Sequence, residues 1–151
     1  RLNEEQRLLA NQLRQRYLPH LPKFASLWVH FLLHSLSFLR KEGRMAFVLP
    51  TAVDTADYAR PLLAFLRNRF SQVELVHVRE RLFLQAGADE RISLLLLSGY
   101  SPTGVSEPAP LLPKHIADIS EIVADETTGL QLGSIFEHDV MPVLKQRDLI
   151  D

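Results

Sequence analysis

The sequence has no cysteine, no marked excess of either charge and no long apolar run. Absence of cysteine excludes a disulfide scaffold and cysteine-ligated zinc and favours a reducing compartment, so we expect a cytoplasmic protein. The 17 basic and 18 acidic residues leave a net charge of −1, so nucleic-acid binding would need a local basic patch. The most apolar helix-like run, residues 27–39, is shorter than the roughly 20 residues of a membrane span. We therefore expect no membrane partner.

Apolar periodicity predicts two helices before the first strand. Residues 1–18 form an amphipathic pattern with Asn3 as the N-cap, ending before Pro19. Residues 24–40 are apolar almost all round, which predicts a helix covered on most sides. The sequence "RKEGR" stops that helix, and the continuously apolar "MAFVLP" that follows is typical of an interior strand covered on both faces.

The next segments predict a helix and two more strands. The helix lies within residues 51–70, with Thr55 or Asp57 as its cap and Pro61 in its first turn. "VELVHV" and "ISLLLLS" are the strands, and the short connection between them has no room for a crossover helix, so they are antiparallel. The predicted fold class is α/β: parallel strand or strands plus a C-terminal antiparallel hairpin, flanked by helices.

The composition changes after residue 100. Residues 101–113 are rich in proline and serine, which predicts a linker. Residues 114–151 contain short apolar clusters without a clear period. We therefore predict one unit over residues 1–100 and the start of another module, a target-recognition or C-terminal region, over 114–151.

Four segments in order carry a family resemblance: "LWVHFLLHSLSFLRKEG", "GRMAFVLPTAV", "DYARPLLAFLRNRF" and "RLFLQAGADERISLLLL". Together they resemble the C-terminal half of the catalytic domain of adenine-specific DNA methyltransferases from bacterial restriction–modification systems. The resemblance implies a partial Rossmann-like methyltransferase sheet over roughly residues 1–100. It also implies double-stranded DNA as partner and S-adenosylmethionine as cofactor.

Two motifs of that family are missing. No Gly-x-Gly turn is present to hold S-adenosylmethionine, and no Pro-Pro pair is present for the Asn/Asp-Pro-Pro-Tyr/Phe catalytic signature. In the family's first helix, which corresponds to "LWVHFLLHSLSFLRKEG" here, Ser26 and Trp28 replace the usual Asp and Tyr. In the family's order both motifs lie upstream of Arg1, and a chain that opens with Arg is expected to begin inside a longer product. The resemblance therefore implies no catalytic and no cofactor-binding residue in this chain, and no binding of S-adenosylmethionine by this fragment alone.

The resemblance places the target-base side of the pocket on the segment between the last two strands. A base whose exocyclic amine is modified must leave the duplex and be held between flat surfaces. By position, the aromatic side chain is Phe83. The other residues implied are Pro50, Thr51 and Gly87 at the pocket rim, and Arg79, Arg81 and Arg91 as DNA phosphate contacts. In the alternative interpretation, Phe83 only fills the end of the sheet and the charged residues form a solvated rim.

Other candidates have structural explanations. His30 and His34 have the i, i+4 spacing of zinc ligands, but without a third ligand we predict packed or surface histidines and no metal site. Acid–base pairs are conceivable among the carboxylates; capping and turn roles explain them better. The carboxylates concerned are Asp54, Asp57, Asp89 and Glu90.

Two functions from different classes follow. The first is a fragment of an S-adenosylmethionine-dependent adenine DNA methyltransferase that needs the missing N-terminal half of its domain. The second is a non-catalytic, degenerate methyltransferase-like subunit that binds DNA or a protein partner. In either case the first strand would expose an edge, through which the isolated chain is expected to self-associate.

Overall fold

The computed structural model describes residues 2–22, 25–53, 55–87 and 90–121. Within them lie three α-helices and four strands. In chain order these are α1 (Glu4–Tyr17), α2 (Leu27–Ser35), β1 (Met45–Pro50), α3 (Ala59–Arg67), β2 (Phe70–Val78), β3 (Ile92–Tyr100) and β4 (Lys114–Ile116). Short 3₁₀ helices cover Leu36–Phe38, Thr51–Val53 and Leu84–Ala86. None of the described helices is long and apolar enough to cross a bilayer.

The strands form one mixed sheet in the order β1-β3-β2-β4. β3 runs antiparallel to both β1 and β2, so these two run parallel to each other on either side of it. β4 is parallel to β2. The predicted antiparallel pairing of the last two strands is confirmed, and the fold class is a mixed α/β sheet flanked by helices, consistent with a partial Rossmann-like fold.

The main core lies on the sheet face that carries Phe47, Leu95 and Leu75, which are aligned across β1, β3 and β2. Apolar side chains of α2 and α3 join that face in one cluster, among them the fully buried Leu32 and Leu66. The helices bury one stripe each because their apolar residues recur at three- and four-residue spacing. The opposite face carries a smaller cluster: Val76, Val78, Ile92, Leu94 and Leu96, with Leu82 and Ile116 packed against it.

The first helix follows the sequence prediction closely. The Asn3 side chain accepts a hydrogen bond from the Gln6 amide, and the Gln6 side chain accepts one from the Asn3 amide, which completes a capping box. α1 ends at Tyr17, two residues before Pro19. Its buried residue is Leu13. The helix is therefore fixed at its start by local hydrogen bonds and at its middle by packing.

Two burial predictions are wrong for the described part of the chain. The second helix is shorter than residues 24–40 and is not covered on most sides, since Phe31 is 66% and Phe38 78% exposed. β1 was expected in the interior, but it is an edge strand of the described sheet, and Val48 is 56% exposed. In both cases one face packs on the main core while no described element covers the other.

The start of α3 also differs from the prediction. Its N-cap is Tyr58, and no side chain caps the helix, so neither Thr55 nor Asp57 has the predicted role. Pro61 does lie in the first turn, where its missing N–H costs no helical hydrogen bond. Packing of the helix on the sheet, rather than a cap, therefore defines where it begins.

Residues 101–113, predicted as a linker, lie against the end of α3. The amides of Ser101, Val105 and Ala109 donate to the carbonyls of residues 69, 68 and 67 at 2.7, 2.9 and 2.8 Å, and Ala109 is buried. β4, at the start of the predicted second module, belongs to the same sheet. The division into modules stays a prediction, because residues 122–151 lie outside the described residues.

Candidate functional site

The predicted site residues lie at the end of the sheet where β1 and β2 finish and β3 begins. We call this region the loop end; it comprises Pro50, Thr51 and the described residues of the β2–β3 loop, 79–87 and 90–91. Pro50 pairs with Ile92, and the Thr51 amide donates to the Arg91 carbonyl at 3.3 Å. The pairing of β1 with β3 thus brings Pro50, Thr51 and Arg91 together. Ligands bind at the carboxyl ends of strands in open α/β sheets, so the position suits a site.

The β2–β3 loop has an ordered shape that displays Phe83. Leu82 packs against the smaller core cluster. The Leu84 amide donates to the Arg81 carbonyl at 3.2 Å, and the Ala86 amide donates to the Phe83 carbonyl at 3.0 Å. Between this anchor and these turns the Phe83 side chain is 44% exposed. An aromatic side chain held outward by a fixed turn provides a flat apolar surface at low entropic cost.

Gly87 ends the loop's 3₁₀ helix in the left-handed conformation, with φ of 83°. A Cβ at this position would meet nothing within 4 Å. The glycine is therefore required by the backbone conformation, which other residues adopt at a cost, and not by close packing within the chain. The space beside Gly87 is open, and its role at the pocket rim stays a prediction.

The three predicted phosphate contacts are all on the exposed part of the loop end. The Arg79 amide donates to the Ile116 carbonyl at 3.0 Å, so its backbone is fixed by β4 while its side chain faces solvent. Arg91 is fixed in the same way through its carbonyl and Thr51. Arg81 begins the turn before Phe83. Two of the three arginines thus have a strand-bound backbone and a solvent-exposed guanidinium group.

Thr51 contributes a polar atom that the chain leaves without a partner. Its Oγ1 is buried and has no hydrogen-bond partner among the described residues. A buried hydroxyl without a partner costs about 1–3 kcal/mol relative to a paired one. This hydroxyl therefore marks a point at the loop end where a ligand or a further part of the protein gains a hydrogen bond.

The sequence reasoning missed a polar cluster at the same end of the sheet. His77 of β2 and Ser93 of β3 are directly paired and buried, and His77 Nδ1 lies 2.6 Å from Ser93 Oγ. The His77 ring also stacks on His115 of β4, with centroids 4.9 Å apart. The sequence does contain a signal for this cluster, because each of these two apolar strands has a polar residue, His77 or Ser93, among its buried positions. The cluster links β3, β2 and β4 immediately below the loop.

Glu74 is a second polar residue that the sequence reasoning missed. It lies in the middle of β2 on the face of the smaller cluster, paired with Leu96. Its Oε2 is buried and has no hydrogen-bond partner among the described residues. Burial raises the pKa of this carboxyl group, and the positive charge of Lys114 opposes the rise. Glu74 lies four residues from Val78, the last residue of β2, or about 13 Å along the strand.

Of the other candidates, Asp57 does not have its predicted capping role, because the N-cap of α3 is Tyr58. His30 is buried in α2, and burial followed by the nearby charge of Arg14 lowers its pKa. His34 packs edge-on against Phe38, with ring centroids 5.1 Å apart. No group of three or more potential ligands for a metal occurs in the described part of the chain. Two of the four candidate carboxylates, Asp54 and Asp89, lie outside the described residues.

The resemblance places the turn that holds S-adenosylmethionine upstream of this chain, and the described residues contain no glycine turn of that kind. The connection from β1 to α3 contains no glycine. The described glycines with positive φ are Gly87 in the loop, Gly99 within β3 and Gly104 in the segment after it. None of these positions joins the end of a strand to the start of an α-helix, where backbone amides would hold an anionic cofactor. We therefore assign no step of a reaction to this cofactor within the chain.

The fold places the chain in the α/β class: a partial Rossmann-like sheet in which the antiparallel β3 lies between the parallel strands β1 and β2. No family model and no curated protein matches the sequence. Among solved structures, the fold is similar to part of the ATP-dependent Type ISP restriction–modification enzyme LlaBIII bound to DNA, with a TM-score of 0.56 and 10% identity. The match covers 78% of this chain and 9% of that enzyme. This likeness concerns the fold, and the chain corresponds to a small part of the enzyme's length.

Proposed function

We propose that this chain is the downstream half of the catalytic domain of a site-specific adenine DNA methyltransferase, and that it forms the target-base side of the pocket. The observation that carries the proposal is the position of Phe83. It is exposed on the loop that joins β2 to β3, beside the carboxyl end of β1. The fold's likeness to part of a DNA-bound restriction–modification enzyme supports a link to DNA modification, while adenine specificity rests on the resemblance of the sequence segments.

In this proposal Phe83 stacks on the adenine after the base has left the duplex. Stacking on an aromatic side chain contributes about 1–3 kcal/mol per base, which offsets much of the cost of unstacking. Pro50 and Thr51 border the space beside the ring, and the unpartnered Thr51 hydroxyl is available to a polar group of the nucleotide. Methyl transfer from S-adenosylmethionine to the exocyclic amine is left to residues upstream, because this chain has neither motif for it.

The arginines of the loop end position the DNA in this proposal. Arg79, Arg81 and Arg91 carry three positive charges on the loop that displays Phe83, and guanidinium groups contact phosphates without reading sequence. Such contacts orient the duplex while the base enters the pocket. Double-stranded DNA is accordingly the proposed partner, together with the upstream half of the catalytic domain.

The test is Phe83→Ala in the protein that contains this chain. Loss of stacking predicts a fall of about 5- to 150-fold in the rate of adenine methylation, equal to about 1–3 kcal/mol. Leu84→Ala is the matched control, because Leu84 lies in the same loop, is 53% exposed and has no aromatic ring. Phe83→Trp is expected to retain activity. Equal methylation by the Ala variants of Phe83 and Leu84 would show that Phe83 only fills the end of the sheet.

The second candidate is a non-catalytic subunit with the same fold. The catalytic signature and the glycine-rich turn are both absent from this chain, which is compatible with either candidate. The sequence encoded upstream separates the two functions. An intact Asn-Pro-Pro-aromatic motif there supports the enzyme, whereas a degenerate one supports the binding subunit.

A further inference from the structure

Basic residues also collect at the opposite end of the sheet, where β1 and β2 begin and β3 finishes. The turn before β1 contributes Arg40, Lys41 and Arg44, all exposed. The end of α1 contributes Arg16, and the turn before β2 contributes Arg69. We call these five residues, together with Phe38, the amino-end surface. They come from three separate segments, so no single sequence run reveals the patch.

Hydrogen bonds and ring contacts make this surface continuous on the side of α1. The Tyr17 hydroxyl lies 3.2 Å from Ser37 Oγ, which joins the end of α1 to the residue before Phe38. Burial, with a smaller contribution from Tyr17, raises the pKa of Tyr100. The positive charges of Arg69 and Arg16 oppose this rise, so both guanidinium groups act near the Tyr100 hydroxyl.

The remaining link runs from the turn before β1 to the end of β3. The Glu42 amide donates to the Tyr100 carbonyl at 2.8 Å, and the Tyr100 amide donates to the Gly43 carbonyl at 3.2 Å. Tyr100 pairs in turn with Phe70, the residue after Arg69. The three basic segments therefore surround one residue, Tyr100.

The charge of this surface is strongly one-sided. It holds five basic side chains, and the one acidic residue in its three segments is Glu42. The side chains of Arg40, Lys41 and Arg44 form no ion pair with other described residues. Chain-wide charge is almost neutral at −1, so this is the local patch that bulk composition could not show.

An exposed aromatic residue, Phe38, precedes the charged turn by two residues. Phe38 is 78% exposed, the largest fraction of any described aromatic side chain, and it is held edge-on by His34. Cationic side chains next to an exposed ring are the elements with which proteins hold unpaired nucleic acid: the charges follow the backbone and the ring stacks on a base. If these segments only formed a solvated helix end, the basic residues would be explained by the helix dipole, but the exposed Phe38 ring would not.

We propose that the amino-end surface is a second nucleic-acid site, which binds a single strand through its phosphates and stacks one unpaired base on Phe38. β2 spans nine residues, or about 30 Å, between this surface and the loop end, so the two sites are separate. The second site holds single-stranded DNA at a distance from the base that the loop end receives. It does not depend on the methyltransferase proposal.

The experiment measures binding of a fluorescent 12-nucleotide single strand and of a matching duplex to the 151-residue chain at several salt concentrations. Arg40→Gln/Lys41→Gln is expected to weaken single-strand binding about tenfold and to reduce the salt slope by about 1.4, the value for two lost phosphate contacts. Phe38→Ala is expected to weaken single-strand binding about fivefold or more and to leave duplex binding unchanged.

Two controls make the result specific. Arg7→Glu changes the net charge by the same two units on an exposed position of α1, nine residues or about 14 Å along the helix from Arg16. Leu84→Ala alters the loop end without removing Phe83, and its single-strand affinity is expected to be unchanged. Equal weakening by Arg7→Glu and the double variant, or unchanged binding in Phe38→Ala, would overturn the proposal. A loss confined to Leu84→Ala would overturn it too, because binding would then lie at the loop end.

Discussion

Replacing Ser93 by alanine is expected to destabilise the sheet directly below the candidate site. Ser93 is fully buried and its Oγ lies 2.6 Å from Nδ1 of His77, which is itself 5% exposed. Water therefore cannot replace the lost partner. Removing one partner of a buried hydrogen bond costs about 1–3 kcal/mol.

That cost converts to a measurable change in melting temperature. A domain of roughly 120 residues loses about 4 °C for each kcal/mol, so Ser93→Ala is expected to lower the Tm by about 4–12 °C. Because the His77 ring stacks on His115, the amides of β4 are expected to exchange hydrogen faster in this variant. Thermal unfolding followed by circular dichroism, and hydrogen exchange by mass spectrometry, provide the two measurements.

Ser71→Ala is the matched control, since its hydroxyl is on the same strand pair but exposed, donating to the Ser98 carbonyl at 3.2 Å. Its expected effect is within about 0.5 kcal/mol. Equal melting temperatures for the Ser93 and Ser71 variants would refute the reasoning, because they would show that the buried pair adds nothing beyond a surface hydrogen bond.

Three further predictions concern pH and association. Burial and the charge of Arg14 lower the pKa of His30 below its usual 6.5, so the unfolded chain binds more protons than the folded chain, and stability is lost as pH falls below about 6.5. Urea unfolding measured across this pH range is expected to show the loss of stability. His30→Gln is expected to make the loss smaller. Burial raises the pKa of Glu74 above its usual value, so the stability that the protonated group contributes at low pH is lost as pH rises through the folded pKa. Glu74→Gln is therefore expected to stabilise the chain at pH 8 but not at pH 4. A pH-independent difference between Glu74→Gln and the unmodified chain would contradict this. The outer edge of β1 has no partner strand among the described residues, so we expect the isolated chain to self-associate in sedimentation experiments, and a clean monomer would count against it.

Local patterns predicted most of the elements, because short-range physics determines them. The cap at Asn3 and the antiparallel β2–β3 pair are set by neighbouring residues and by a short connection, and both are confirmed. The insertion of β3 between β1 and β2 is a long-range pairing, and apolar strands such as "LLLL" do not specify their neighbours. The exposed Phe31 and Phe38 could not be predicted for a related reason, since hydrophobicity shows what a side chain favours and not whether an element covers it.

The candidate site was predicted in part from the order of its segments. Strand pairing does bring Pro50, Thr51 and Arg91 together at one end of the sheet, with Phe83 exposed on the adjoining loop. The His77–Ser93 pair was not predicted, because its two residues are distant in sequence and meet only through the register of β2 and β3. The roles of the site residues in binding DNA stay predictions.

The most direct test of the central claim is photo-crosslinking at the modified base. Sequencing of DNA treated with the protein that contains this chain locates the methylated adenine, and 5-iodouracil is then placed at that position in a duplex. Irradiation of the complex, followed by mass spectrometry of the peptides, is expected to give a crosslink at Phe83. A crosslink outside the β2–β3 loop, with none at Phe83, would contradict the account.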